Sequence, residues 1–511
     1  MMKVYKNIFA IMMVMGLSVF ALTGCSLSKN NSSGEVPDMV IGKFSELTQI
    51  PRPSRHEEQV SDYLKSWAEK QGFQVVQDEN CNLIIDVPAV KGMEDKPFVA
   101  LQGHMDMVFA QQNGLDLDPY STVIQMKNDG KNLTSDGRTS LGADDGIGIA
   151  IMECVAEGKM AHGPLRLIIT TNEEEGSVGV AKLDPNSVSD VEYLINLDNE
   201  MEGQMVISSA SAITFEYSRA LTPDTPGGDM GITLSFDKLA GGHSGLNIDK
   251  GRMNGIMAMG EVLRNLKKNQ ISFELASISG GDAPNAIPVS ARAVLCIAKD
   301  DYQKCYDCCN ETVHDLKTRY SETEPDMVFD IAETEKSEQV LSKADTDLIL
   351  EYMDQQFDGV YTMSEIIEGL VESSSNLGVI TVEPTGFFAT GMLRSSNAAL
   401  EKELIEMDRA LADTFQFECT TNAGTAPWPV KENNRLQKIA EEAYRDIFSK
   451  DLGVIAVHAG LECGAFARYN PEMDIISIGP NITAPHTVQE VAEIESIDKL
   501  WKFLEGILAR V

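Results

Sequence analysis

The chain has 511 residues, with 42 lysines and arginines against 78 aspartates and glutamates, a formal charge of −36. So acidic a surface argues against nucleic acid as a partner, because phosphates need a basic face. At 43% hydrophobic residues the chain can bury a large core and should divide into at least two domains.

Lys3 and Lys6 precede an apolar run from Ile8 to Leu22, too short for a comfortable membrane span. It ends in Leu22-Thr23-Gly24-Cys25, followed by a serine- and asparagine-rich stretch. This resembles a bacterial lipoprotein signal. Residues 1–24 are then removed, Cys25 is lipidated, and residues 25–37 form a flexible tether. The expected location is extracytoplasmic, held to a membrane by the lipid alone. No other stretch is long and apolar enough to span. Downstream, Cys305-x-x-Cys308-Cys309 lies in an amphipathic helix from Tyr302 to Tyr320 with no second pair to match. Packing or a disulfide explains it better than a metal.

From Asp38 the pattern is α/β. Met39 to Leu47 reads as a short helix. Ser54 and Glu57 have capping-box spacing and start a helix that runs to about Gln71 and stops at Gly72. Phe73–Val76 and Leu83–Val87 read as a strand pair. Phe98 to Val108 reads as a buried strand ending in Gly103-His104-Met105-Asp106. Neutral imidazole is a good metal ligand, and a carboxylate two residues on can hold its orientation.

Four further motifs follow apolar runs. Gly142-Ala143-Asp144-Asp145-Gly146 is a glycine-bounded turn opening a helix, where an aspartate can either cap or bridge two metals. Asn172-Glu173-Glu174-Glu175-Gly176 follows the strand Leu165–Thr171, and its clustered like charges need a cation or a proton. Asp198 follows Tyr193–Leu197. His486, one of only seven histidines, follows the run Asp474–Pro480. Together, His104, Asp144, Glu174, Asp198 and His486 supply two open three-ligand sites that share one carboxylate.

This set resembles the co-catalytic dizinc peptidase and deacylase family, which includes aminoacylases, peptidase T and dipeptidases. The aminoacyl-histidine (Xaa-His) dipeptidase subgroup is similar also at Ile50–Ser54, Gly241–Gly245, Asn285–Pro288, Val371–Gly378 and His458–Gly464. The resemblance implies that His104 and Asp198 hold one metal, Glu174 and His486 the other, and Asp144 bridges. It implies Glu173 as general base, Asp106 as the carboxylate behind His104, and His243 as the group polarising the scissile carbonyl. Asn285 and Arg394 fall at substrate-contacting positions, and an arginine suits a C-terminal carboxylate. The cofactor implied is a pair of divalent ions, zinc first, with manganese or cobalt accepted by the same donors.

The implied reaction is hydrolysis of a dipeptide, of Xaa-His type. Relatives are often dimers, so a homodimer is the expected assembly. The alternatives are a related amidohydrolase, aminoacylase or tripeptidase and, more distantly, a lipid-anchored solute-binding protein. The implied fold is α/β: a mixed-sheet catalytic domain at 38–210 and 426–511, with an inserted α+β lid at 211–425. Two departures stand out. Gly146 occupies a position where many relatives have lysine, and Asn172 one where aspartate is common.

Overall fold

A computed structural model describes residues 35–511. Cys25, and with it the lipidation reading, lies outside the described residues.

The first unit is built on an eight-stranded mixed sheet. Its strands are β1 (Gln74–Gln77), β2 (Leu83–Val87), β3 (Val99–His104), β4 (Leu165–Thr170), β5 (Tyr193–Asn196), β6 (Gln204–Ser209), β7 (Gly453–Val457) and β8 (Asp474–Ser477). The spatial order is β1-β2-β4-β3-β5-β8-β6-β7. β1–β2 and β2–β4 are antiparallel. β3 is parallel to both β4 and β5, and β5 is parallel to β8. The middle strands are covered on both faces, and β3 and β4 are buried at every position. Both therefore read as near-continuous apolar runs. One face packs against Glu35–Leu47, Ala143–Cys154, Arg435–Phe448 and Ile494–Leu508, which share a core around Phe44, Leu101, Ile147 and Trp501. A smaller core around Ile168, Leu194, Trp428 and Phe466 fills the other face.

The second unit is an antiparallel nine-stranded sheet within Ile213–Ala423, with the helices Gly255–Lys268, Tyr302–Arg319, Lys343–Gln355 and Ala398–Phe415. Its separate core includes Phe215, Tyr217, Phe236 and Tyr352. Cys305, Cys308 and Cys309 are free thiols packed in that core.

One local expectation changes. The helix after Ser54 begins at Glu58 and has no side-chain cap. Ser54 and Glu57 have capping-box spacing, but their oxygens serve partners far away in sequence: Ser54 Oγ donates to Asp106, and Glu57 accepts from Asn172 N. The helix after Gly142 ends at Cys154 and passes into a wider turn at Val155–Lys159. Its twelve residues are all buried. That makes it a core helix, apolar around most of its surface but carrying Asp144, Asp145 and Glu153.

Candidate metal centre and active site

Because β3, β4, β5 and β8 are mutually parallel, their carboxyl ends open on one edge of the sheet, where ligands collect in open α/β folds. β3 ends at His104. β4 delivers Asn172, Glu173 and Glu174. β5 delivers Asp198. The chain after β8 reaches His486. The turn at Gly142 brings Asp144 to the same place.

Asp144 lies between two imidazoles. Its Oδ1 is 3.1 Å from His104 Nε2, and its Oδ2 is 3.2 Å from His486 Nε2. His104 Nε2 also faces Asp198 Oδ1 at 3.4 Å, and His486 Nε2 faces Glu174 Oε2 at 2.9 Å. Each imidazole thus meets one oxygen of Asp144 and one further carboxylate. Ligand atoms of His104, Asp144 and Glu174 lie within 4.8 Å of one another. Glu174 Oε1 is buried without a partner. An orphaned carboxylate oxygen in an N/O donor cluster is what a hard-to-borderline divalent cation would complete. The five residues fit such a group.

The electrostatics agree. Burial disfavours charge on His104, but Asp198, Asp106 and Asp144 outweigh it and raise its pKa. His486 is raised to about 10 by its hydrogen bonds to Asp144 and Glu174. Burial pushes Asp144 up, yet the two histidines pull it below the ordinary value. Asp198 is raised, chiefly by burial. Carboxylates this close need positive charge between them, which protonated imidazoles or a bound cation would supply.

Glu173 stands beside this cluster. Burial raises its pKa to about 8, with Glu462, Glu174 and Asp106 adding to the rise. Ser177 Oγ donates to its Oε1 at 3.2 Å. Asp106 is wholly buried behind His104, with its Oδ1 3.4 Å from Nδ1. It accepts from the backbone N–H of Glu173 at 3.0 Å and of Glu174 at 3.3 Å, and from Ser54 Oγ at 2.7 Å. One carboxylate therefore ties the end of β3 to the turn after β4.

Several buried groups here gave no sequence signal of their role. Arg52 donates to the carbonyls of Met105 at 2.8 Å and Asp106 at 3.0 Å, and also to Gly142 O. It explains Gly146: a Cβ there would stand 2.6 Å from the Arg52 guanidinium and 2.7 Å from Phe44. Glu57 holds the N–H of Asn172 at 2.8 Å, and Asn172 takes a left-handed φ of 51° that asparagine tolerates better than most residues. Glu462 accepts from Gln102 at 2.5 Å and Thr170 at 2.6 Å, beneath His104. Glu490 accepts from three amides of the turn before Asp144. Each side chain works through backbone or side chains remote in sequence, so no local pattern announces it.

The second unit supplies a separate group. Arg394 is buried, with its Nη2 3.2 Å from His243 Nε2 and its Nε 3.4 Å from Ser244 Oγ. His243 Nδ1 accepts from the N–H of Gly245 and of Leu246, each at 3.2 Å. Burial and Arg394 lower His243 to about 4, so its imidazole is neutral at pH 7. Asn285 is exposed in the adjoining turn, and its carbonyl accepts Ser244 N at 2.8 Å. The units meet here. His458, just after β7, has its Nε2 2.7 Å from Ser374 Oγ, and Gly245 packs against the His458 carbonyl. Four residues on, Glu462 is already under His104.

The family model described as peptidase family M20/M25/M40 matches residues 100–510. The chain belongs to that family. It is 32% identical over 470 residues to the cytosol non-specific dipeptidase of Escherichia coli (strain K12), covering 92% of this chain and 96% of the relative. The structure resembles that of aminoacylhistidine dipeptidase from Vibrio alginolyticus, with a TM-score of 0.85, 31% identity and coverage of 94% and 98%. An M20 family metallo-carboxypeptidase from Sulfolobus solfataricus shares the fold at a TM-score of 0.51 and 15% identity, covering 92% of this chain and 98% of its own.

Membership in a peptidase family removes the solute-binding reading. The matches also correct the reading of the amino terminus. The anchored, extracytoplasmic location is contradicted by a relative that spans 92% of this chain and is by name a cytosol enzyme, and the lipoprotein signal finds no support in the matches. The pattern at Cys25 is short and local, whereas the relationship rests on most of the chain. Among the described residues no helix is long and apolar enough to cross a membrane.

Proposed function

We propose that this protein is a metallo-dipeptidase that hydrolyses the peptide bond of dipeptides, with histidine preferred at the second position. The observation that carries the proposal is Asp144, whose two oxygens each face a different histidine–carboxylate pair. His104 and Asp198 would hold one zinc ion, His486 and Glu174 the second, and Asp144 both. A divalent pair held there supplies a Lewis acid for the scissile carbonyl and lowers the pKa of water.

The chain's own residues do the rest. Glu173 takes a proton from the attacking water and hands it to the departing amine, and burial makes its carboxylate a stronger base than an exposed glutamate. Asp106 fixes the backbone of Glu173 and Glu174 while it orients His104. Arg394 offers a buried, planar cation for the free carboxylate of the second residue, where two parallel N–H···O bonds are strongest. Neutral His243 beside it donates to the carbonyl of the bond being cut. The unit at 211–425 acts as the lid that carries these two groups and excludes water when it closes.

The test is hydrolysis of a panel of Xaa-His dipeptides, other dipeptides, tripeptides and N-acetyl amino acids, with and without chelator. Xaa-His dipeptides are cleaved fastest, and chelation abolishes the activity. Preferential cleavage of tripeptides or N-acetyl amino acids, or full activity in chelator, contradicts the proposal.

A further inference from the structure

Glu490 takes no part in the chemistry above, yet it is buried and spends both oxygens on one turn. Its Oε2 accepts from Leu141 N at 2.7 Å and Gly142 N at 2.9 Å, and its Oε1 from Ala143 N at 2.7 Å. These three amides directly precede Asp144 and include the first N–H groups of the helix it opens, which lack partners within that helix. Glu490 belongs to the segment that carries His486, four residues earlier, and its own N–H donates to Thr487 O at 3.2 Å. One carboxylate thus joins the turn bearing Asp144 to the loop bearing His486.

The same turn is gripped from its other side. Arg52 donates to the carbonyl of Gly142, the residue whose N–H Glu490 accepts, and to the carbonyls of Met105 and Asp106 at the end of β3. Of the carboxylates around Arg52, Glu490 attracts it most strongly. The three chain segments that present His104, Asp144 and His486 are therefore cross-braced by a buried guanidinium and a buried carboxylate that share one peptide turn.

We infer that Glu490 is a positioning residue for the metal centre: it locks the His486 loop to the Asp144 turn, and so sets how tightly divalent ions are held. The inference rests on the metal-binding reading proposed above. His486 is nearly half exposed, with 45% of its side chain open to solvent, and its loop has little other cover. Without the brace the loop is held only where Ile482 and Thr483 pair with Ala492 and Val491, and by the contacts of His486 itself with Asp144 and Glu174.

The experiment is zinc titration of Glu490→Gln against a chromophoric chelator, with thermal unfolding of the metal-free protein measured alongside. Glutamine keeps the shape but turns one oxygen into an N–H₂ group that faces donors. Glu324→Gln is the control. Glu324 is also buried and accepts two backbone amides, Ala240 N at 2.7 Å and Met253 N at 2.9 Å, but in the second unit. Zinc affinity should fall ten- to a hundredfold in Glu490→Gln and stay at the wild-type value in Glu324→Gln, although both melt earlier. Glu490→Asp, which keeps the charge but withdraws it by one methylene, should fall between wild type and Glu490→Gln, and serves if the glutamine variant does not fold. Wild-type affinity in either Glu490 variant overturns the inference, as does an equal loss in the Glu324 control. Wild-type protein that binds no divalent ion would instead overturn the reading on which the inference stands.

Discussion

The helix that opens at Asp144 also buries Glu153, whose side chain is wholly inaccessible to solvent. Its Oε1 lies 3.5 Å from Lys43 Nζ, and its Oε2 has no partner. Burial raises its pKa from 4.5 to about 7, with Lys43 opposing. The folded pKa exceeds the unfolded one, so this group's contribution to stability is intact below pH 4.5 and lost as the pH climbs through 7. The full loss is about 3 kcal/mol. About 1.4 kcal/mol is already gone at pH 5.5, and all of it at pH 8.5.

Glu153→Gln stays neutral and escapes that loss. Lys43 is not orphaned, because Glu157 Oε1 lies 2.6 Å away. The new amide lacks an acceptor for its N–H₂ group, which costs about 1 kcal/mol at every pH. The variant should therefore be nearly as stable as wild type at pH 5.5 and about 2 kcal/mol more stable at pH 8.5. Urea unfolding followed by tryptophan fluorescence reads this out, since Trp67, Trp428 and Trp501 all pack in the first unit. A wild-type-to-variant difference that is the same at both pH values would mean that Glu153 does not titrate in this range.

Three other changes probe the site. Glu173→Gln should lose about 10²–10⁴-fold in kcat with metal content unchanged; near-normal turnover would remove the general base. Arg394→Ala should cost roughly tenfold or more in kcat/KM for dipeptides with a free carboxylate and little for the corresponding amides, since charged hydrogen bonds are worth about 1.5–3 kcal/mol. Equal losses on both substrates would mean that Arg394 does not read the carboxylate. Gly146→Ala should lower the melting temperature, because overpacking against Arg52 and Phe44 costs about 1–3 kcal/mol and outweighs a helix-propensity gain of about 1 kcal/mol. A higher melting temperature would show that the contact relaxes freely.

How much of this was legible in the sequence depended on where each partner lies. β3 and β4 were readable because both are buried on both faces and so appear as unbroken apolar runs, each closed by a polar motif. The meeting of His104, Glu174, Asp198 and His486 was legible for the same reason: each comes after an apolar run, and parallel strands deliver their ends to one edge, whereas Asp144 opens a helix after a polar stretch. Ser54 and Glu57 show the limit of local pattern. Their spacing fits a capping box, but Asp106 and Asn172 compete for their side chains and win, since those contacts stabilise turns buried under the site. Arg52 and Glu462 lay inside stretches that resemble the dipeptidase subgroup but had no assigned role, and Glu490 was silent, because a residue that serves distant backbone needs no particular neighbours in sequence. Gly146 looked like a missing lysine, and only the packing of Arg52 and Phe44 explains it. The expected location was overturned because it rested on a short apolar segment before a cysteine, a weak local signal beside a relationship that spans most of the chain.

The central claim is that Asp144 stands between two metal ions. Anomalous diffraction at the zinc edge from crystals grown with zinc tests it directly. Two peaks of comparable height are expected on opposite sides of the Asp144 carboxylate, one against His104 and Asp198, the other against His486 and Glu174. A single peak, or peaks away from Asp144, would contradict it.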